Sequence, residues 1–288
     1  MDKDEIISLL DIIEEKMIDQ ETLGFSPEVL EILDNVEASN EEIELLKTRI
    51  GNEILMRIFN IANSAYYGTL RKGNIHTFYE VVTRLGMNHT KVLIIILALQ
   101  ILAAGDKYIE AVFARSYASA VLGKILSHQF GIREDHAKRV ELGGLFSEIG
   151  EIIILLYKKL HAADDERIDE DFIRKYHPYM AERMVEKFAL PDYLRYMVFL
   201  DGLVVEESYI TISGITRIAI NFVEASFDKF HNHLVVEALS APVSERNEKL
   251  ALETIIESQF NAVGLGRYLR IIKKKERLLP EYKYKKKE

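Results

Sequence analysis

Eight histidines and no cysteine bound the metal chemistry open to this 288-residue chain. Thiolate ligands, thiolate nucleophiles and disulfides are excluded, so a divalent ion would have to rest on imidazole and carboxylate. His231 and His233, in FHNHL, are two residues apart. That spacing suits two ligands on one face of a strand. On a helix, residues three or four apart share a face, so both are read as surface histidines. His128 and His136 flank Gly131 with Glu134 and Asp135 close by. That set reads as a helix end with capping acids rather than as a weak metal site. His76 and His89 read as helix-start residues. The chain has no Walker loop, no nucleophile elbow and no dinucleotide fingerprint. GLGRYLR at 264–270 offers two glycines without a third or a preceding strand, and reads as a helix break.

The most specific stretch is NIANSAYYG, residues 60–68. An apolar helical run ends there in Asn63 and Ser64, followed by Tyr66, Tyr67 and Gly68. Local structure accounts for each residue. Asn63 can end a helix, Ser64 can bond the freed carbonyls, the tyrosines can pack the turn and Gly68 can take positive φ. Recognition accounts for them too, because tyrosine gives large contact area at low entropy cost with a polar tip. Both readings stand at this point.

These residues must be positioned by helices. Glycine totals 15 and proline 5, too few breakers for many short strands. Ile6, Ile7, Leu10, Ile13 and Met17 make one stripe over residues 3–19. Ser26-Pro27 and Ser39-Asn40 read as helix starts. NEILMRIFNIAN follows as a helix, then residues 76–85 up to Gly86, then a helix capped by Asn88 and apolar all round from Val92 to Leu102. Further helices are expected at about 108–129, 134–159, from Pro178 to about 189, from Pro191, and at 208–227, 250–262 and 266–278. Leu142, Leu145, Phe146, Ile149, Ile152, Ile153 and Leu156 form the core stripe of the 134–159 segment. No period-2 pattern survives, and the class is all-α.

Net charge is −9, which disfavours non-specific nucleic-acid binding. The last 18 residues run the other way, with eight Lys/Arg against three Glu; they read as a solvated tail or a contact for anionic partners. The longest apolar run, VLIIILALQILAAG, is short of the roughly 20 residues a membrane span needs. The acidic, amphipathic start is unlike a secretory signal. A cytoplasmic protein is the expectation.

LMRIFNIANSAYYG followed by VVTRLGMNHTKVLIIILAL resembles the signature of HDOD domains, bacterial regulatory modules related to metal-dependent HD phosphohydrolases. ELGGLFSEIGEIIIL, YHPYMAERMVEKFALPDYLRYMV and ISGITRIAINFVEA resemble later family blocks in the same order. The resemblance covers about 24–227. It implies an N-terminal helical lobe, 1–106, packed on an HD-like multi-helix bundle, 107–228, with C-terminal helices and the basic tail at 229–288. It also implies that Asn63, Ser64, Tyr66 and Tyr67 line a groove between lobe and bundle.

The departures from the hydrolase pattern carry the functional expectation. The family's His-Asp pair falls on Ser147-Glu148, an earlier ligand histidine on Arg115, and the later His-His position on Leu200-Asp201. Of the aligned histidines, His177 stays. Serine and arginine do not replace imidazole on a divalent ion. The former metal pocket is therefore expected to hold Arg115, Ser147, Glu148, His177 and Asp201 without metal or cofactor, with Arg115 between Glu148 and Asp201. Gly143-Gly144 reads as close helix contact without chemistry. The implied function is a non-catalytic signalling module that binds a protein partner or a nucleotide messenger. The alternative is a degenerate phosphohydrolase using His177, Glu148 and Asp201.

Overall fold

The computed structural model describes residues 1–18, 20–64, 67, 74–163, 165–198, 212–228, 261 and 266. Among these the elements are helical, and the one β contact is an isolated bridge between Phe25 and Ile50. The fold is all-α. In chain order the helices are α1 (Lys3–Met17), α2 (Gln20–Leu23), α3 (Pro27–Asp34), α4 (Asn40–Leu45), α5 (Asn52–Asn63), α6 (Phe78–Leu85) and α7 (Met87–Leu102). Then come α8 (Lys107–Gln129), α9 (Glu134–Phe146), α10 (Ile149–His161), α11 (Glu170–Lys187), α12 (Tyr193–Val198) and α13 (Ile212–Asp228).

Capping decides where several of these start. Asp2 with Glu5, Ser39 with Glu42, and Thr77 with Glu80 form reciprocal capping boxes at α1, α4 and α6. Each satisfies two backbone donors that a helix start leaves orphaned. Pro27 opens α3 as its first residue, but the Ser26 hydroxyl turns to the Glu28 carboxylate at 3.3 Å and makes no backbone cap.

α7 is the axis of the core. Its residues from His89 to Gln100 are all buried, as an all-round apolar helix requires. α2, α3, α5, α6, α9 and α10 pack against it, and α1 packs on α10 and α11. One hydrophobic cluster runs from Leu9 on α1 to Val223 on α13. α8 and α9 approach at Gly144, where a β-carbon would sit 2.5 Å from the Ala120 nitrogen. Gly143 gives the same intimacy to Met197. The glycine pair is a close helix contact.

Four boundaries differ from the sequence expectation. The 134–159 segment is two helices, α9 and α10, broken at Ser147-Glu148. The stripe residues are nonetheless all buried, because both helices face the same core. α7 starts at Met87 rather than at an Asn88 cap. Gly86, at φ +98°, ends α6 and turns directly into α7, and its carbonyl accepts from the Thr90 hydroxyl at 2.9 Å. Pro178 lies inside α11 instead of opening it. The helix begins eight residues earlier, at Glu170, where Asp169 caps it by accepting from the Phe172 N–H at 2.7 Å. Proline then removes one interior backbone donor. Pro191 precedes α12 by two residues. The expected helices at 250–262 and 266–278, the basic tail, His231 and His233 lie almost wholly outside the described residues.

Candidate functional site: two polar clusters in the helical core

The segment after α5 is anchored at both ends. Ser64 caps α5 by donating from Oγ to the Ile61 carbonyl at 2.7 Å. The Asn63 side chain reaches Ile75: Oδ1 accepts from its N–H at 2.7 Å and Nδ2 donates to its carbonyl at 3.3 Å. Asn63 thus stays helical and is stapled at two points to Ile75. Tyr66 and Gly68 lie outside the described residues.

Tyr67 points inward to a cluster the sequence reading did not assemble. Its hydroxyl donates to the Glu141 carboxylate on α9 and lies 3.2 Å from His89 Nε2 on α7. His89 Nε2 is itself 3.5 Å from Glu141 Oε1. Lys124 Nζ, from α8, is 3.0 Å from Glu141 Oε2 and 4.7 Å from the centre of the Tyr67 ring. His89 and Glu141 are 3% and 2% exposed, so an unpaired charge here would be very costly. Burial alone pushes the Glu141 carboxyl up. The Lys124 charge, then His89, then hydrogen bonds from His89 and Tyr67 outweigh it and hold Glu141 down at about 2. Glu141 is therefore an anion at neutral pH, shared by a cation, an imidazole and a phenol.

The sequence did carry a signal for these residues. Glu141 and Lys124 each interrupt an apolar helical stretch, VELGGLF and VLGKIL. A charge on a core stripe asks for a buried partner. Spacing could not say that the two partners are each other.

The second cluster lies at the break between α9 and α10. The Arg115 guanidinium, on α8, sits 3.3 Å from Glu148 and 2.8 Å from Glu151. Glu148 is buried at the helix junction, and Ser147 Oγ donates to the Gly144 carbonyl at 2.9 Å. Burial raises the Glu151 carboxyl to about 7; Arg115 opposes this and the neighbouring Glu148 adds to it. α11 enters where Gly150 lets the His177 carbonyl approach, within 1.8 Å of where a β-carbon would stand. Arg115 is thus flanked by two carboxylates. Glu148 is one. The second is Glu151, one turn further on; Asp201 lies outside the described residues.

This donor set does not fit a metal ion of the HD type. Arginine offers five N–H donors and no lone pair, and its charge repels a cation. The Ser147 hydroxyl is spent on a backbone carbonyl. Among the described residues, no group of three or more His, Asp or Glu is arranged to hold a metal. No single helix among them is long and apolar enough to cross a membrane.

Comparison with known proteins agrees with this architecture. The chain superposes on a provisionally assigned metal-dependent phosphohydrolase from Shewanella amazonensis SB2B with a TM-score of 0.60 and 18% identity, covering 90% of this chain and 99% of that one. A second provisionally assigned phosphohydrolase from that organism gives a TM-score of 0.51 at 18% identity, covering 91% and 93%. At such identity the likeness is one of fold. No protein of curated function matches the chain. The HDOD domain family matches residues 25–200, and the chain belongs to that family.

Proposed function

We propose that this HDOD protein is a non-catalytic regulatory module that binds a protein signalling partner, with the Asn63–Tyr67 segment as its contact surface. The observation that carries the reading is the Arg115 ion cluster. A permanent cation paired at 3.3 and 2.8 Å with Glu148 and Glu151 stands at the position to which the family resemblance assigns an imidazole ligand. The Tyr67 cluster supplies the link between surface and core. A partner that engages the residue 63–75 segment acts on three helices at once, because Tyr67 touches His89 of α7, Lys124 of α8 and Glu141 of α9. A nucleotide messenger as ligand is the other occupant of the same reading.

The test is metal content by inductively coupled plasma mass spectrometry on protein purified without chelator. It is run beside hydrolysis of cyclic dinucleotides and aryl phosphates with added Mn²⁺ or Mg²⁺. Far less than one metal per chain and flat progress curves are expected. One metal per chain with turnover abolished in His177→Ala would make the protein a phosphohydrolase and overturn the reading.

A further inference from the structure

α1 lies outside residues 25–200 matched by the family, yet together with α11 it lines a groove of about 670 Å³. Ile6, Ile7 and Leu10 come from α1, and Tyr176 and Tyr179 from α11. Ile7 and Tyr179 are 41% and 49% exposed, so part of this apolar lining faces solvent. Phe172, Tyr176 and Tyr179 form a row of rings with successive centroids 4.8 and 6.2 Å apart. The Lys175 ammonium stands 5.3 Å from the centre of the Tyr176 ring, so a lysine already rests on an aromatic face here.

The charge around the groove is negative. Residues 2–17, α1 with its N-cap, hold six carboxylates against two lysines, and α11 holds four charges of each sign. The ion pairs repeat the imbalance. Arg183 reaches Asp11 at 2.6 Å and Glu14 at 2.7 Å. Arg195 meets Glu182 at 3.6 Å, Glu186 at 3.0 Å and Asp192 at 3.8 Å. Two guanidiniums thus serve five carboxylates. Glu182 and Glu186 line the groove itself.

One segment outside the described residues carries the complementary chemistry. Residues 271–288, IIKKKERLLPEYKYKKKE, hold eight Lys/Arg against three Glu, a net of +5; the other 270 residues then carry −14 of the total −9. Pro280 disfavours a continuous helix through the segment. Beyond it Tyr282, Lys283, Tyr284 and Lys285 alternate. Alternate residues of an extended chain share a face, which puts the two tyrosines on one side and the two lysines on the other. Along α11 the groove runs from Lys175 to Glu186, about 17 Å of helix. Five or so extended residues cover that length. Fifty residues separate Asp228, the end of α13, from Leu278, a contour of about 165 Å that leaves reach unrestricted.

We propose that the α1–α11 groove is the docking site of this chain's own residues 278–287. Leu278, Leu279, Tyr282 and Tyr284 would meet the apolar lining, and Lys283 and Lys285 to Lys287 the surplus carboxylates. Being on the same chain, the segment acts at an effective concentration of about millimolar, so a weak contact is enough to keep the groove covered. This contact is separate from the Tyr67 segment and draws on different elements.

The experiment joins carbodiimide cross-linking of the full chain to binding of a labelled synthetic peptide of residues 277–288. Amide cross-links from Lys283, Lys285 or Lys286 to Glu182, Glu186, Asp11 or Glu15 are expected within one chain. They should disappear in about 1 M NaCl, where the screening length is about 3 Å. By fluorescence anisotropy, the full-length variant with Lys283, Lys285, Lys286 and Lys287 all changed to Glu should bind the peptide about tenfold or more tightly than wild type, because its own segment no longer competes. Adding Tyr179→Ser, or Glu182→Lys with Glu186→Lys, should remove that gain while circular dichroism shows the chains folded. Tyr67→Phe should leave the cross-links unchanged, so this proposal and the one above fail separately. Equal peptide binding by wild type and the four-Glu variant, without groove cross-links, would overturn the assignment. So would cross-links to Glu31, Glu37 or Glu41, in a stretch of seven carboxylates and no basic residue at 26–46. Cross-links only between isotope-distinguished chains would assign the groove to a second copy. Lysine-dependent binding to phosphatidylserine vesicles that the groove variants leave unchanged, with no groove cross-links, would assign the segment to a membrane surface.

Discussion

Tyr67 and Glu141 lie 74 residues apart in sequence, and the tyrosine hydroxyl donates to the buried glutamate carboxylate. That bond ties the segment after α5 to the middle of α9. Tyr67→Phe removes a hydrogen bond to a charged acceptor and should cost about 1.5–3 kcal/mol in urea unfolding. Glu141→Ala strands Lys124 in the core and should cost more, about 3–5 kcal/mol. Equal, small effects for both would mean the cluster is wetter than its burial implies.

The two clusters give the stability curve opposite slopes in two pH windows. Glu141 titrates at about 2 in the fold, against an ordinary 4.5, so its contribution is complete above the ordinary value and is lost as pH falls toward 2. Glu151 titrates at about 7, above its ordinary 4.5. The folded state then holds a proton that the unfolded chain releases, and stability falls as pH rises from 4.5 to 7 before levelling. Glu151→Gln should flatten that upper limb, an effect of about 1–3 kcal/mol. The check is the urea midpoint measured at intervals from about pH 4 to pH 8. A variant curve parallel to wild type across that range would contradict the Arg115–Glu148–Glu151 arrangement.

Two glycines on the α8–α9 contact should behave differently. At Gly144 a methyl group would meet backbone atoms of Ser119 and Ala120 at 2.5–2.7 Å, and backbone cannot rotate away. Gly144→Ala should cost about 3 kcal/mol or yield no soluble protein. At Gly123 the nearest atom is the Val140 Cγ1 at 2.8 Å, a side-chain methyl. Gly123→Ala should cost only about 1 kcal/mol, since the gain in helix propensity offsets part of the crowding. Thermal unfolding followed at 222 nm separates the two.

Lys91 is fully buried in apolar α7, and its ammonium reaches the Asp34 carboxylate at 2.6–2.7 Å and the Ala189 carbonyl at 3.4 Å. Ala189 holds φ at +45°, a left-handed conformation that costs a non-glycine residue about 1 kcal/mol or more. Ala189→Gly should stabilise by up to about 1 kcal/mol, since the relief exceeds the entropy glycine adds to the unfolded chain. Asp34→Ala should destabilise by more than Lys91→Met, because only the first leaves a charge buried alone. Chemical denaturation of the three variants tests the ordering.

The helical class was legible in the sequence because it rests on local physics: few breakers, a capping residue at Ser39, and an all-round apolar run in α7. The order of the blocks around NSAYYG carried the family for the same reason, since fold-specific residues there occupy consecutive positions. Arg115 with Glu148 was readable through the resemblance. What sequence could not supply was any relation that depends on helix rotation and crossing. Glu151 joins Glu148 on Arg115 because the chain breaks at Ser147-Glu148 and restarts as α10 at Ile149. His89 passed for a helix-start residue, and it became a core partner only because α7 turns that first-turn position toward α9. Tyr67, His89, Lys124 and Glu141 are unremarkable in one dimension. Close packing of α8 on α9 at Gly144 brings two of them into one low-dielectric site, and there each charge is tolerable only in the company of the others.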